Sequence, residues 1–257
     1  MIDMPCFIQV HTIMLPDKRT LQKISPAAVV ESNLEWLLGE DLALVRKVIQ
    51  DRIHTDYPFV NEVLSDATPA HLPRAIITLG ASRLGYAAQE SRVALAAAIE
   101  MLHMAVTVHE FIPRGEVKIT EHQRVLMGSA ILIGDYCFSQ ASSLAASTGN
   151  PAVVAAFSDA LAQLSERRVQ TLLETPHQPH ADDAILYAAA AEVGALLVGL
   201  PKPVRYALRE AAASFGEVLS DSETSVAEAI VHLESLTKDW PGVKPLTNWL
   251  RTHRPTP

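Results

Sequence analysis

Apolar residues along this chain recur at helical spacing, and no stretch alternates as a half-buried strand would. The spacing predicts a succession of helices. Ser25-Pro26 reads as a helix start, with a capping serine followed by proline at the first helical position. A helix over Ala27 to Leu38 would end near Gly39, and the next, from Glu40 to Ile53, puts Leu42, Val45, Val48 and Ile49 on one face. A shorter helix follows Pro58, and Pro69 and Pro73 bracket a turn. Ala75 to Leu84 is an apolar helix stopped at Gly85. Ser91 to Glu110 is apolar almost all round, which predicts a helix in the centre of the fold, ended by Pro113 and Gly115. Thr120 to Ala146 and Ala152 to Leu173 flank the turn residues Thr148-Gly149-Asn150-Pro151. After a loop from Thr175 to His180 come His180 to Leu200, a break at Pro201 to Pro203, and Val204 to Leu219. Weaker helices fall at Val226 to Leu236 and Lys244 to Leu250. Residues 1–24, with Pro5 and Pro16 and little periodicity, read as an irregular N-terminal arm; residues 25–257 read as one helical domain, with connections short enough to make neighbours antiparallel.

Composition sharpens this picture. Of 257 residues 49% are hydrophobic and only 5% aromatic, a mix that suits helices packed through small residues rather than a β-sandwich. The net charge of −8 repels phosphate backbones and argues against nucleic acid as a partner. Cys6 and Cys137 lie far apart without a metal-binding spacing, which points to reduced thiols and no structural zinc. Glu100 and His103 interrupt the longest apolar run, so no membrane span is expected, and the first twenty residues lack a signal peptide's features. The expected location is cytoplasmic.

Three segments carry a family resemblance. Ala98-Ile99-Glu100-Met101-Leu102-His103-Met104-Ala105-Val106-Thr107-Val108-His109 resembles the AxELIHxASLIHDD signature of the trans-isoprenyl diphosphate synthases, the polyprenyl synthetase family. Gly134-Asp135-Tyr136 resembles that family's GDYLL helix start, and Glu192-Val193-Gly194-Ala195-Leu196-Leu197 resembles its xxGALxAG helix. Order and spacing agree over roughly residues 30 to 230. The resemblance implies an all-α antiparallel bundle around a central cavity. It also implies transfer of an allylic diphosphate onto isopentenyl diphosphate, with Mg²⁺ held by two aspartate-rich DDxxD motifs to neutralise the leaving diphosphate.

At those motifs the sequence departs from the family. The first falls on Glu110-Phe111-Ile112-Pro113-Arg114, which keeps the carboxylate of Glu110 and places the cation of Arg114 where an anion belongs. The second falls on Glu223-Thr224-Ser225-Val226-Ala227, again with one carboxylate, and Ser220 stands at the preceding glutamine. The family's lysine-threonine pair, twelve residues before Gly194, is replaced by Asp182-Asp183. Its GGKRLRP stretch becomes Thr68-Pro69-Ala70-His71-Leu72-Pro73-Arg74, with Arg74 one residue from an arginine position. His71, Arg74, Asp182 and Asp183 are therefore the degenerate diphosphate positions, and Glu110, Arg114 and Glu223 the vestigial catalytic ones. Two like charges in a partly desolvated cleft cost several kcal/mol, by Coulomb's law at an effective dielectric of about 20.

Each feature also has a plainer explanation. Glu100 and His103 form an ExxH pair, but a di-metal bundle site needs a second ExxH on a facing helix and two further glutamates, and Glu174-Thr175-Pro176-His177 runs into the proline-containing loop, so a structural polar contact is expected. His109 and Glu110 read as a helix end, Asp182-Asp183 as acids favoured at a helix start, and Asp221 with Glu223 as solvated. Arg167 and Arg168 are adjacent, do not share a helix face, and are expected on the surface. The helix Ser91 to Val108 would look the same lining an isoprenoid tunnel or filling a core. The sequence thus predicts a catalytically inactive, metal-free member acting as partner or regulatory subunit of an active prenyl diphosphate synthase, as a homodimer or heterodimer. The alternatives are a cavity protein with an isoprenoid or other lipid ligand, and a prenyltransferase of changed chemistry.

Overall fold

A computed structural model describes residues 33–110, 120–173, 181–217, 223–240 and 242–253. The expected arm at 1–24, the helix start at Ser25-Pro26, Cys6, Arg114, Ser220 and Asp221 lie outside them. Among the described residues there are helices and no strand: α1 (Leu34–Leu37), α2 (Gly39–Ile53), α3 (Pro58–Ala67), α4 (Pro73–Ser82), α5 (Gln89–Glu110), α6 (Glu121–Ser147), α7 (Pro151–Leu173), α8 (Ala181–Leu197), α9 (Lys202–Gly216), α10 (Glu223–Leu236) and α11 (Val243–Thr252). The all-α expectation is borne out.

Local chemistry sets the boundaries. Asn33 caps α1 by accepting from the Trp36 amide at 3.1 Å. The prolines Pro58 and Pro73 open α3 and α4, where a missing N–H costs no hydrogen bond. The same rule corrects the expected break at Pro201 to Pro203: α9 begins at Lys202, and Pro203 sits inside its first turn. Gly39 opens α2 rather than ending a helix, and α4 stops at Ser82, short of Gly85. Gly149 (φ 65°) and Gly199 (φ 66°) follow α6 and α8 in the left-handed conformation that glycine adopts without strain.

Helices adjacent in sequence from α5 onward also pack on one another, α5 on α6 through to α10 on α11, and α11 returns to touch α1 and α4. One continuous apolar core runs through the bundle. Helix α5 lies at its centre, with Leu95 to Leu102 fully buried, Glu100 among them. This helix is long and apolar enough to cross a membrane by length and composition, and 72% of its most apolar window is buried inside the fold. Helix α8 packs through a run of small residues, Ala188 to Ala191, against α4, α5, α7 and α9. A Cβ on Gly194 would stand 2.5 Å from the Thr78 carbonyl oxygen, and one on Gly216 2.7 Å from the Ala184 Cα, so glycine sets both approaches.

Polar ties fasten the frame. Buried Asp41 of α2 accepts from Gln89 at 2.8 Å and from Arg83 at 3.1 Å, with Arg92 at 3.5 Å. Burial pushes its pKa up, but the Gln89 and Arg83 hydrogen bonds and the charges of Arg83 and Arg92 outweigh that and hold it below the ordinary value. Tyr136 of the Gly134-Asp135-Tyr136 segment donates its hydroxyl to the Arg52 carbonyl at 2.6 Å, near the end of α2.

Candidate functional site

Four of the family positions lie in two ion-pair groups that meet at the start of α8: Arg74 of α4 and Asp183 beside the middle of α5, and Asp182 with Glu110 where the end of α5 and the far half of α7 face α8. Together the two groups hold four carboxylates and three guanidinium groups. Arg74, at the second residue of α4, is buried; its Nη2 reaches Asp183 Oδ1 at 2.5 Å, its Nη1 lies 3.9 Å from Glu100 Oε2, and its guanidinium covers the Tyr187 ring at 4.8 Å. The Nε of Arg74 and Oε2 of Glu100 are buried without a hydrogen-bond partner. Glu100 Oε1 accepts from the Ala75 amide at 2.8 Å, one of the amides that a helix start leaves without an internal acceptor.

Asp182 of α8 faces two arginines of α7: Arg167 Nε lies 3.3 Å from its Oδ1 and Arg168 Nε 3.0 Å from its Oδ2. Arg168 also pairs with Glu110 at 3.0 Å, which ties the last residue of α5 to α7 and α8. This corrects the expectation that Arg167 and Arg168 are separate surface residues. Adjacent residues diverge by about 100° around a helix, but the guanidinium stem is long, and both reach one carboxylate that sits between their directions.

Environment moves several protons. Burial pushes the Glu100 pKa up, against the charge of Arg74 and the backbone amides of Ala75 and Arg74, which pull it down. Burial lowers the His103 pKa well below the usual imidazole range, and the Arg74 charge lowers it further. His109 is lowered by burial, raised by Asp135 and lowered by Arg168. Its ring fills the space over Gly134, where a Cβ would fall 1.9 Å from it, and meets Phe138 edge-on.

The ExxH pair is thus divided: Glu100 serves the α4 start and Arg74, as the structural reading expects. Asp182 and Asp183 do open a helix, but each also carries an arginine partner. His71 is exposed, apart from the network. Val226 is buried in α10, while the Glu223 side chain and residues 111–119, with Arg114, lie outside the described residues. The described residues do not fit a magnesium ion. Glu110 and Asp182 already face guanidinium groups, and among the described residues no three His, Cys, Asp or Glu side chains group closely enough to hold a metal. What the sequence missed was the counter-charge: Arg167 and Arg168 fall outside the stretches compared with the family, so nothing in those stretches marked them.

In sequence and in fold the chain is similar to the polyprenyl diphosphate synthases, and the resemblance drawn from the three segments is borne out. No family model matches it. It is 25% identical over 187 residues to heptaprenyl diphosphate synthase component 2 of Geobacillus stearothermophilus, covering 65% of this chain and 57% of that one. To the octaprenyl diphosphate synthase of Escherichia coli it is 24% identical over 182 residues, covering 63% and 55%. The chain thus spans little more than half the length of these relatives. A decaprenyl diphosphate synthase from Rhodobacter capsulatus superposes with a TM-score of 0.61 at 28% identity, over 79% of this chain and 68% of that one. A polyprenyl synthase from Caulobacter crescentus, solved with calcium and isoprenyl diphosphate, superposes at 0.67 over 86% and 97%; at 18% identity this shows the fold alone.

Proposed function

We propose that this polyprenyl-synthetase-like protein does not itself transfer prenyl groups, and that it serves as a partner or regulatory subunit of an active prenyl diphosphate synthase in isoprenoid biosynthesis. The observation that carries the reading is the pairing of Arg167 and Arg168 with Asp182 and Glu110, and of Arg74 with Asp183. Prenyl transfer needs cations and metal free to meet a departing diphosphate. Here the cations at the family's site are spent on the protein's own carboxylates. Helix α6 supplies a surface for association: Val125, Ile131 and Leu132 are exposed along it, with Leu132 71% open. The relative from Geobacillus stearothermophilus is by its name one component of a synthase. The proposed subunit works as a heterodimer with an active synthase or as a homodimer, in the cytoplasm.

The test is to capture the tagged chain from its native host, identify the bound protein, and assay each alone and together with labelled isopentenyl and allylic diphosphates and Mg²⁺. The expected result is no product from this chain alone, and a changed rate or product length when it joins the captured synthase. Mg²⁺-dependent product from the purified chain alone would overturn the proposal.

A further inference from the structure

The arginines and the two aspartates at the start of α8 are arranged as a ligand and its receptor would be. The two oxygens of Asp182 are held by Nε atoms from two arginines, at 3.3 and 3.0 Å, and the next carboxylate, Asp183, takes the buried guanidinium of Arg74. Two adjacent anions gripped by three guanidinium groups is also how a protein holds a diphosphate. We propose that Asp182 and Asp183 are built-in counter-anions that occupy this arginine site and close it to soluble diphosphates. The inference rests on the inactive reading above and adds the device that enforces it.

Tethering gives the closure its strength. The carboxylates are fixed to the helix that frames the site, so a solute competes against a high effective concentration of anion that no dilution lowers. The guanidinium groups have little reason to stay empty. Arg74 is buried, with 6% of its side chain exposed and its Nε unpartnered, and a buried cation stripped of its counter-charge is costly. Removing the two aspartate charges therefore leaves a site that needs an anion. Arg168 would remain paired with Glu110, and Arg74 would remain near Glu100.

The experiment is calorimetric titration with inorganic pyrophosphate, without metal, of the native chain, of Asp182→Asn/Asp183→Asn, and of the same double variant carrying Arg168→Gln. The native chain is expected to show no saturable binding at millimolar pyrophosphate. The double variant is expected to bind at least ~10-fold tighter, as charge-assisted pairs form with guanidinium groups that have lost the charges of Asp182 and Asp183. Adding Arg168→Gln should take most of that gain away. Circular dichroism checks that each variant is folded, and Asp182→Asn alone, which leaves the Arg74–Asp183 pair, replaces the double variant if that one does not fold. An independent reading uses the native chain: phenylglyoxal labelling of Arg167 and Arg168, mapped by mass spectrometry, should proceed at the same rate with and without pyrophosphate. A folded variant with no gain in binding, or pyrophosphate protection of those arginines in the native chain, overturns the closure. Neither result touches prenyl transfer, which the assay of the purified chain decides separately.

Discussion

Arg74 joins the buried network to the core. Replacing it with glutamine leaves Glu100 buried with the backbone amides at the start of α4 and without its nearest cation. Losing one partner of a buried pair costs about 3–5 kcal/mol, and denaturant unfolding near neutral pH should show a loss of that order. The loss should shrink in acid. The folded pKa of Glu100 is already raised, so folding takes up a proton in the window from the ordinary 4.5 up to that raised value. Stability from this group is gained as pH falls through that window, and removing Arg74 widens it. His103 acts in the other direction. Burial, then Arg74, lowers its pKa well below 6.5, so the folded state holds it neutral while the unfolded chain takes a proton below 6.5. Its contribution is fully present above that pH and is lost as pH falls, at up to about 1.4 kcal/mol per pH unit for one proton. Subtracting the pH–stability curve of His103→Gln from the native curve should isolate that slope. A difference that is flat between pH 7 and 5 would show that His103 is not held neutral by the fold.

At the scale of elements, the glycines separate two kinds of helix contact. Gly194→Ala would push a Cβ to 2.5 Å from the Thr78 carbonyl, where α8 meets α4, and backbone cannot yield as a flexible side chain can. A cost of about 1–3 kcal/mol is expected. Gly39→Ala, at the first residue of α2 with nothing within 4 Å, should instead stabilise by about 0.4–1 kcal/mol through the unfolded chain. Thermal unfolding of the two variants should move in opposite directions. The long helices were legible because their apolar spacing and punctuating prolines act locally: α5 to α8 fall within a few residues of where the pattern places them. The central position of α5 was equally legible, since no polar face remains to meet water. The network at the site was not. Which carboxylate Arg167 and Arg168 reach depends on how α7 lies beside α8, and that packing is a tertiary contact no local pattern of charge or apolar spacing encodes.

For the whole molecule the outer face of α6 is the decisive surface. Val125 and Leu132 are 60% and 71% exposed on a helix whose other face packs on α5. The proposed dimer would cover that face, through the same patch on both chains if the pair is symmetric. Sedimentation velocity over a dilution series is expected to show a dimer at high micromolar concentration. Leu132→Glu should shift it toward monomer while leaving the helical circular dichroism unchanged. A strict monomer throughout would remove the surface on which both the homodimer and the partner-subunit reading depend.

Arg168 bonds to Glu110 and Asp182 at once, and this shared guanidinium makes the site hard to undo one residue at a time. A lysine at 183 would set an ammonium group beside the buried Arg74, and a lysine at 182 would set one between Arg167 and Arg168. A second carboxylate beside Glu110 would compete for Arg168 before any metal could use it. Each single charge change of this kind therefore passes through a chain with an unmatched charge, at a cost of several kcal/mol for the buried position. Changes made together, swapping an arginine and its aspartate in one step, avoid that intermediate. The order in which substitutions are made, and not only their sum, thus decides which sequences near this one can fold.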